Sequence, residues 1–327
     1  MSKCETCEHA RAKFDVVGFS IICSCVRGHE WESNEDCADY EQSKMLERLM
    51  DGIELYNGDC LEVMKNIPDK SVDMILCDLP YGITSAKWDI VIPFDKLWGQ
   101  YNRIIKDNGA IVLFANEPFA TRLRISNLEN YKYDWIWVKH KPGNFSVGKW
   151  RPLGYHENIC VFCYNKNKIN YYPQKIPRKS DRVKQAHKVN YVGFNSQRRD
   201  IFMMKGHDID FNKFDADFKL PSTVLEFPAV QSNSKEKVPH PTQKPVALLE
   251  YLIRTYTNEG ETVLDNCMGS GSTGVACLNT NRKFIGIELD RNYFEIAEKR
   301  IYDTQAQISE MLKIDKGEVN NDQRKSD

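Results

Sequence analysis

The chain has 327 residues, which allows one large or two modest domains. Apolar residues make up 41% and charged residues 28%, enough for a packed core in a soluble protein, and the net charge of -1 gives the whole chain no electrostatic bias. An uninterrupted apolar run of about 18 residues, the mark of a membrane span, is missing, and the opening Met1-Ser-Lys-Cys-Glu-Thr-Cys7 lacks the apolar core of a signal peptide. The expectation is a cytoplasmic protein with no membrane partner, whose reducing compartment argues against a disulfide framework for its eleven cysteines.

Residues 1–43 hold five of those cysteines: Cys4, Cys7, Cys23, Cys25 and Cys37. Cys4-x-x-Cys7 can place two thiolates on one metal, and Cys25 and Cys37 complete a candidate tetrahedral zinc site. So short a segment has little core of its own, and a metal would supply folding energy. The alternative is an extension with reduced cysteines, and His9 and His29 leave the ligand set open.

A short charged helix is expected over 41–52. Ile53 to Asn57 reads as a strand running into Gly58-Asp59, and Leu61, Met64 and Ile67 have helical spacing. Ser71 to Asp78 is a short buried strand that ends in Asp78-Leu79-Pro80-Tyr81-Gly82. This turn puts a carboxylate, a rigid carbonyl and a flat ring in one small space. Pro80 fixes its own φ and gives up a donor, so the backbone there presents acceptors. Such a group can accept both hydrogens of an exocyclic amine while Tyr81 stacks on its ring; the plainer alternative is a β-turn with a surface aromatic. Residues 85–89, with Trp88, form a loop that can close over it.

Residues 94–106 read as an amphipathic helix, 107–109 as a turn, 110–115 as a buried strand and 119–128 as a helix. Tyr133 to Val138 and Asn158 to Tyr164 are two more strands, joined by a long loop from Lys139 to Glu157 that is rich in Gly, Pro and aromatics. Short apolar strands alternating with helices predict an α/β fold with a largely parallel, doubly wound sheet.

Residues 166–205 change character: eleven Lys or Arg stand against two acids, with Tyr171, Tyr172, Tyr191 and Phe194 interleaved. A cationic stretch with aromatics suits a phosphate backbone with exposed bases; a solvated basic face is the alternative. Val238-Pro-His240-Pro-Thr242-Gln-Lys244-Pro245 then leads into a helix from Val246 to Tyr256, with Pro245 near its start. Val263-Leu-Asp265 reads as a strand end, Gly269-Ser-Gly271-Ser-Thr273-Gly274 as a tight turn opening a helix, and Phe284 to Asp290 as a second strand carrying Glu288. Glycines let the backbone approach an adenosine-containing cofactor, and an acid at the next strand tip can hold a ribose hydroxyl pair. Alone, this unit fits a dinucleotide-dependent dehydrogenase equally well. A closing amphipathic helix covers 292–301, and the polar tail from about residue 304 is expected to fray.

Three motifs stand in a fixed order: Asp78-Leu-Pro80-Tyr81, His240-Pro-Thr242-Gln-Lys244-Pro, and Asp265-x-x-x-Gly269-x-Gly271-x-Thr273-Gly. Together they resemble the S-adenosylmethionine-dependent DNA amino-methyltransferases (adenine-N6/cytosine-N4) whose catalytic motif precedes the cofactor motif. The resemblance covers about residues 53–302, and Asn57-Gly-Asp59 fits it. It implies a Rossmann-like methyltransferase fold divided into a catalytic half (53–165), a target-recognition insert (166–238) and a cofactor half (239–302), flanked by the Cys-rich extension (1–43) and a polar tail (303–327). It further implies that Asp78, Pro80 and Tyr81 line a base pocket. Asp265, Gly269, Gly271 and Thr273 surround the methionine part of S-adenosylmethionine, Glu288 holds the ribose, Asp59 lies near the adenine, and His240, Thr242 and Lys244 approach the cofactor. Leu79 departs from the family, which usually has Pro there.

What the resemblance implies is methylation of adenine N6 in double-stranded DNA, with the base flipped out of the duplex. Cytosine N4, and a nucleic-acid binder without catalysis, are the alternatives. Related enzymes are often dimers, so a homodimer is allowed; a restriction partner stays open.

Overall fold

The computed structural model describes residues 52–83, 89–143, 148–165, 168–177 and 218–315, with the backbone at 10–11 and 24–25. The zinc candidates Cys4, Cys7 and Cys37, all but the last residue of the helix expected over 41–52, residues 84–88 with Trp88, and the basic run beyond Pro177 lie outside the described residues. At the amino terminus, Ala10–Arg11 pairs antiparallel with Ser24–Cys25.

The chain in order forms β1 (Ile53–Asn57), α1 (Cys60–Met64), β2 (Val72–Cys77), α2 (Phe94–Ile104), β3 (Ile105–Ala115), α3 (Phe119–Ser126), β4 (Tyr131–Gly143) and β5 (Gly154–Phe162). It continues with β6 (Val224–Glu226), α4 (Val246–Tyr256), β7 (Thr262–Asp265), α5 (Ser272–Asn279), β8 (Lys283–Glu288) and α6 (Arg291–Asp315). One eight-stranded sheet has the order β6-β4-β5-β3-β2-β7-β8-β1. Only β5 runs antiparallel to its neighbours.

Alternation along the central strands builds two cores. Met74, Leu76, Val112 and Phe114 face α4, α5 and α6 on one side; Ile75, Cys77, Ile111 and Leu113 face α1, α2 and α3 on the other. All six residues of β2 are buried, as expected of a parallel strand covered on both faces. Asp59 caps α1 by accepting from Leu61 N and Glu62 N, and Asp290 starts α6 by accepting from Asn292 N and Tyr293 N.

Four expectations change. Asp107-Asn-Gly109 is not a turn: β3 begins at Ile105 and carries these residues through a register irregularity opposite β2. Its polar groups are held from outside, with Asn170 N donating to Asn108 O and Asn165 Nδ2 to Asn108 Oδ1. The expected loop from Lys139 to Glu157 is largely hairpin, because Val138 pairs with His156 and Gly143 with Gly154. The span 166–238 is not all insert, because β6 returns to the sheet beside β4. It leaves and re-enters through an antiparallel stem in which Ile176 faces Lys219 and Pro177 faces Phe218. Finally, α6 runs on to Asp315, where Ile308 packs on the core one side of the sheet shares with Ile301.

No helix among the described residues is long and apolar enough to cross a membrane.

Candidate active site

The chain crosses from β2 to β3 through α2 on one face and from β7 to β8 through α5 on the other. Neighbouring strands β2 and β7 therefore mark the point where the winding reverses, and a crevice opens beyond their carboxyl ends. A cavity of about 680 Å³ lies there. The ends of β1, β2, β3, β4, β7 and β8, the start of β5 and the turn at 240–244 all reach it.

On the β7–β8 side the wiring is short-range. Gly269 and Gly271 have φ of 53° and 74°, a region that side chains other than glycine's rarely adopt. A Cβ on Gly269 would lie 2.8 Å from His240 Nε2. Asp265 accepts from Cys267 N at 3.1 Å and from the Thr273 hydroxyl at 2.6 Å, so its carboxylate ties strand to helix. Glu288 accepts from Gly269 N at 2.8 Å and from Asp290 N at 2.9 Å. Arg300 reaches back from α6 to Ser270 O and the Ser272 hydroxyl.

On the β2 side contacts within the turn are joined by one that spans 166 residues of chain. Asp78 Oδ1 accepts the Tyr81 hydroxyl at 2.6 Å, and Asp78 Oδ2 is paired with the Lys244 ammonium. The Tyr81 ring stacks on Phe119 at 4.9 Å between centroids. Asp89 accepts from Gly82 N and Ile83 N and fixes the exit of the turn. Leu79, the departure from the family, is 4% exposed and packs into the α1–α3 side of the core. Glu157 on β5 pairs with Lys139 on β4, and its other oxygen lies 3.6 Å from Lys244 Nζ.

Six carboxylates (Asp59, Asp78, Asp89, Glu157, Asp265, Glu288) and two lysines (Lys139, Lys244) line the cavity. That excess suits a cationic ligand and opposes a pyrophosphate, which separates a sulfonium from the dinucleotide of a dehydrogenase. The glycine loop, with no room for a Cβ at 269, and the strand-end carboxylate of Glu288 fit an adenosyl sulfonium such as S-adenosylmethionine.

The DNA methylase family matches residues 72–299. The chain belongs to that family. Type II methyltransferase M.HpaI of Haemophilus parainfluenzae is 28% identical over 259 residues, covering 75% of this methylase and 72% of the relative. DNA adenine methyltransferase YhdJ of Escherichia coli (strain K12) is 28% identical over 286 residues, covering 83% and 90%. The solved M1.HpyAVI–SAM complex is 26% identical with a TM-score of 0.50, covering 76% of the methylase and 99% of the solved chain.

The residues expected at the site lie together in the methylase. Asp78, Pro80, Tyr81, Asp59, His240, Thr242, Lys244, Asp265, Gly269, Thr273 and Glu288 line the one cavity. Gly271 does not: it starts α5 from behind, against Ala297. Lys244 sits on the turn before α4, and its ammonium goes to Asp78. Among the described residues no group of three or more His, Cys, Asp or Glu could hold a metal.

Burial sets the protonation of the methylase site. It raises Asp265 to about 6 against the help of Thr273 and Cys267 N, and raises Glu288. It also keeps the Tyr81 phenol protonated, with Asp78 and Glu157 adding to the effect, so the phenol donates. Burial opposes the charge on Lys244, but Asp78 and Glu157 outweigh it and hold the ammonium. His240 is lowered to about 4 by burial and by Lys244, Lys237 and Arg300, and is neutral near pH 7.

Glu157, Lys139, Asp89 and Phe119 were not visible as site residues in the sequence. The one signal for Glu157 is an acid immediately before an apolar strand.

Proposed function

We propose that the chain methylates the exocyclic N6 of adenine in double-stranded DNA with S-adenosylmethionine as donor. The observation that carries this is the Asp78-Leu-Pro80-Tyr81 turn opening into the same cavity as the Gly269 loop and Glu288. The adenine assignment draws on the relative named as a DNA adenine methyltransferase.

Bound S-adenosylmethionine supplies an electrophilic methyl group on sulfur. Glu288 would hold the ribose, Asp59 would lie near the adenine, and Asp265, Gly269 and Thr273 would surround the methionine part. The target base flips into the β2 side of the cavity. Asp78 and the backbone carbonyl at Leu79 or Pro80 accept the amine hydrogens and aim the nitrogen lone pair at the methyl carbon. Methylation would leave the amine with a proton to shed, and Asp78 is the group placed to take it. Positioning supplies much of the acceleration, with the free face of the Tyr81 ring against the base.

Target recognition is assigned to the insert within 166–238, whose basic run spans 166–205. Cys4, Cys7, Cys25 and Cys37 as a zinc module rest on spacing alone, and metal analysis of the full chain tests them. A cytoplasmic location and a homodimer belong to the same reading; cell fractionation and light scattering decide each.

The test of the activity is mass spectrometry of nucleosides from DNA incubated with the protein and S-adenosylmethionine. N6-methyladenine is expected. N4-methylcytosine would keep the mechanism and overturn the base assignment, and no methylated base would overturn the activity.

A further inference from the structure

Both oxygens of Asp78 are engaged. Oδ1 accepts the Tyr81 hydroxyl and Oδ2 holds the Lys244 ammonium. Each oxygen keeps a further lone pair, but the adjacent ammonium lowers the basicity of the carboxylate, so Asp78 accepts a proton from an incoming amine more readily once Lys244 turns away. Tyr81 is three residues away and fixed by its stack on Phe119, so the mobile partner is Lys244.

A second seat for that ammonium exists. Glu157 Oε2 is buried, makes no hydrogen bond among the described residues, and lies 3.6 Å from Lys244 Nζ. Its other oxygen is held by Lys139, so the seat is fixed in place while Lys244 sits closer to Asp78 than to Glu157. Strand pairing builds the arrangement: Glu157 faces Trp137 across the β4–β5 ladder, and Lys139 is the next residue of β4 on the same face. The Phe114 ring lies 5.0 Å from Lys244 Nζ and gives the ammonium an apolar surface to turn over. Turning from Asp78 to Glu157 keeps the ion paired throughout, which avoids the cost of a buried uncompensated charge.

We propose that Glu157 is a positioning residue that takes the Lys244 ammonium when the target amine enters and so frees Asp78 to accept the amine hydrogen. The inference rests on the methyl-transfer reading above. Lys139, Glu157, Lys244 and Asp78 alternate in sign, so the charge of the group is conserved during the exchange. Asp78 is also faced by Tyr81 and Cys77 from its own strand and turn and by Asp265 from β7, while Asn116 stands beside Glu157. None of these offers Lys244 an ammonium seat of the same charge and distance.

The experiment compares the wild-type chain with Glu157→Gln, which keeps the shape and removes the charge. Cofactor affinity and unfolding temperature are expected to stay the same. kcat is expected to fall about tenfold or more, with KM for DNA unchanged, because only the step that frees Asp78 is affected. Without any substrate, 13C-carboxyl NMR of Asp78 is expected to titrate at lower pH in Glu157→Gln, because a neighbouring negative charge is gone and Lys244 stays on Asp78. In a Lys244→Gln background, Glu157→Gln is expected to add no further loss, because it acts through the ammonium. If Glu157→Gln does not fold, Glu157→Asp, which withdraws the charge by one methylene, carries the same comparison with smaller effects. A wild-type kcat, additive losses, or an unmoved Asp78 titration would overturn the inference. A raised KM alone would mean that Glu157 binds the base directly, and overturns it too. If the wild-type chain methylates nothing, the proposed activity falls, and the inference that rests on it falls with it.

Discussion

The two sides of the cavity hold their carboxylates by different means. On the β7–β8 side, Asp265, Glu288 and, across the crevice, Asp59 accept backbone N–H groups within their own or the adjoining turn. On the β2 side, Asp78 and Glu157 are held by lysine side chains, and Asp78 and Lys244 stand 166 residues apart in the chain. Backbone donors are fixed once strand and helix have formed, so the first set is a rigid cradle. Ammonium groups on flexible stems can change partner, so the second set can be rearranged during a reaction. A site that must both hold a cofactor still and admit a flipped base uses each kind of wiring where it fits.

Breaking the rearrangeable side has the largest expected effect. Asp78→Ala is expected to lower methyl transfer by about 10³-fold or more, the scale of a lost acid–base group. Cofactor affinity is expected to change little, because Asp78 does not hold the glycine loop. A loss of both together in calorimetry and a methyl-transfer assay would show that the two sides are not independent.

Breaking the cradle comes next. Gly269→Ala forces a Cβ to within 2.8 Å of His240 Nε2 at a positive φ. The expected cost is about 1–3 kcal/mol of stability, with a marked loss of cofactor affinity, read by thermal unfolding and calorimetry. Glu288→Gln is a subtler break. Both Glu288 oxygens accept backbone N–H groups, so an amide must turn its NH2 toward one donor. Cofactor affinity is expected to fall about tenfold, the scale of one charged hydrogen bond, while Asp78 keeps its titration.

The smallest effect sharpens the boundary between the sides. His240 stands between them, edge-on to Tyr293 at 4.6 Å and against Gly269. Its ionisation is lowered to about 4 by burial and by the cations Lys244, Lys237 and Arg300. A depressed basic group contributes stability that is present above its ordinary value of 6.5 and lost as pH falls toward 4. The unfolding temperature of the wild-type chain is expected to fall relative to that of His240→Gln as pH drops from 7 to 4. An unchanged slope would place the pH dependence elsewhere, Asp265 being the opposite case: its raised value favours the folded chain below pH 3.8 and loses that contribution as pH rises through about 6.

The same contrast governs what the sequence disclosed. Asp265, Gly269, Thr273 and Glu288 belong to one strand–turn–helix–strand unit, so their neighbours in space are neighbours in the chain. Asp78 and Tyr81 were legible for the same reason, as a turn at a strand end. Glu157 and Lys139 were not, because their role depends on the β4–β5 register, and polar residues at the open end of a hairpin read as loop. Asp107-Asn-Gly109 misled in the same manner: local turn chemistry lost to donors supplied by Asn165 and Asn170. The continuation of α6 past residue 304 was hidden because its apolar face is sparse, with Ile308 carrying the contact.

One feature of the sheet edge bears on how such proteins diversify. The chain leaves through Ile176–Pro177 and returns through Phe218–Lys219, paired side by side, before β6 locks the return beside β4. Exit and re-entry at nearly one point make the scaffold indifferent to the length of what lies between. Closure entropy grows only with the logarithm of that length. A lineage can therefore lengthen, shorten or exchange this cassette without retuning the strands that line the cavity.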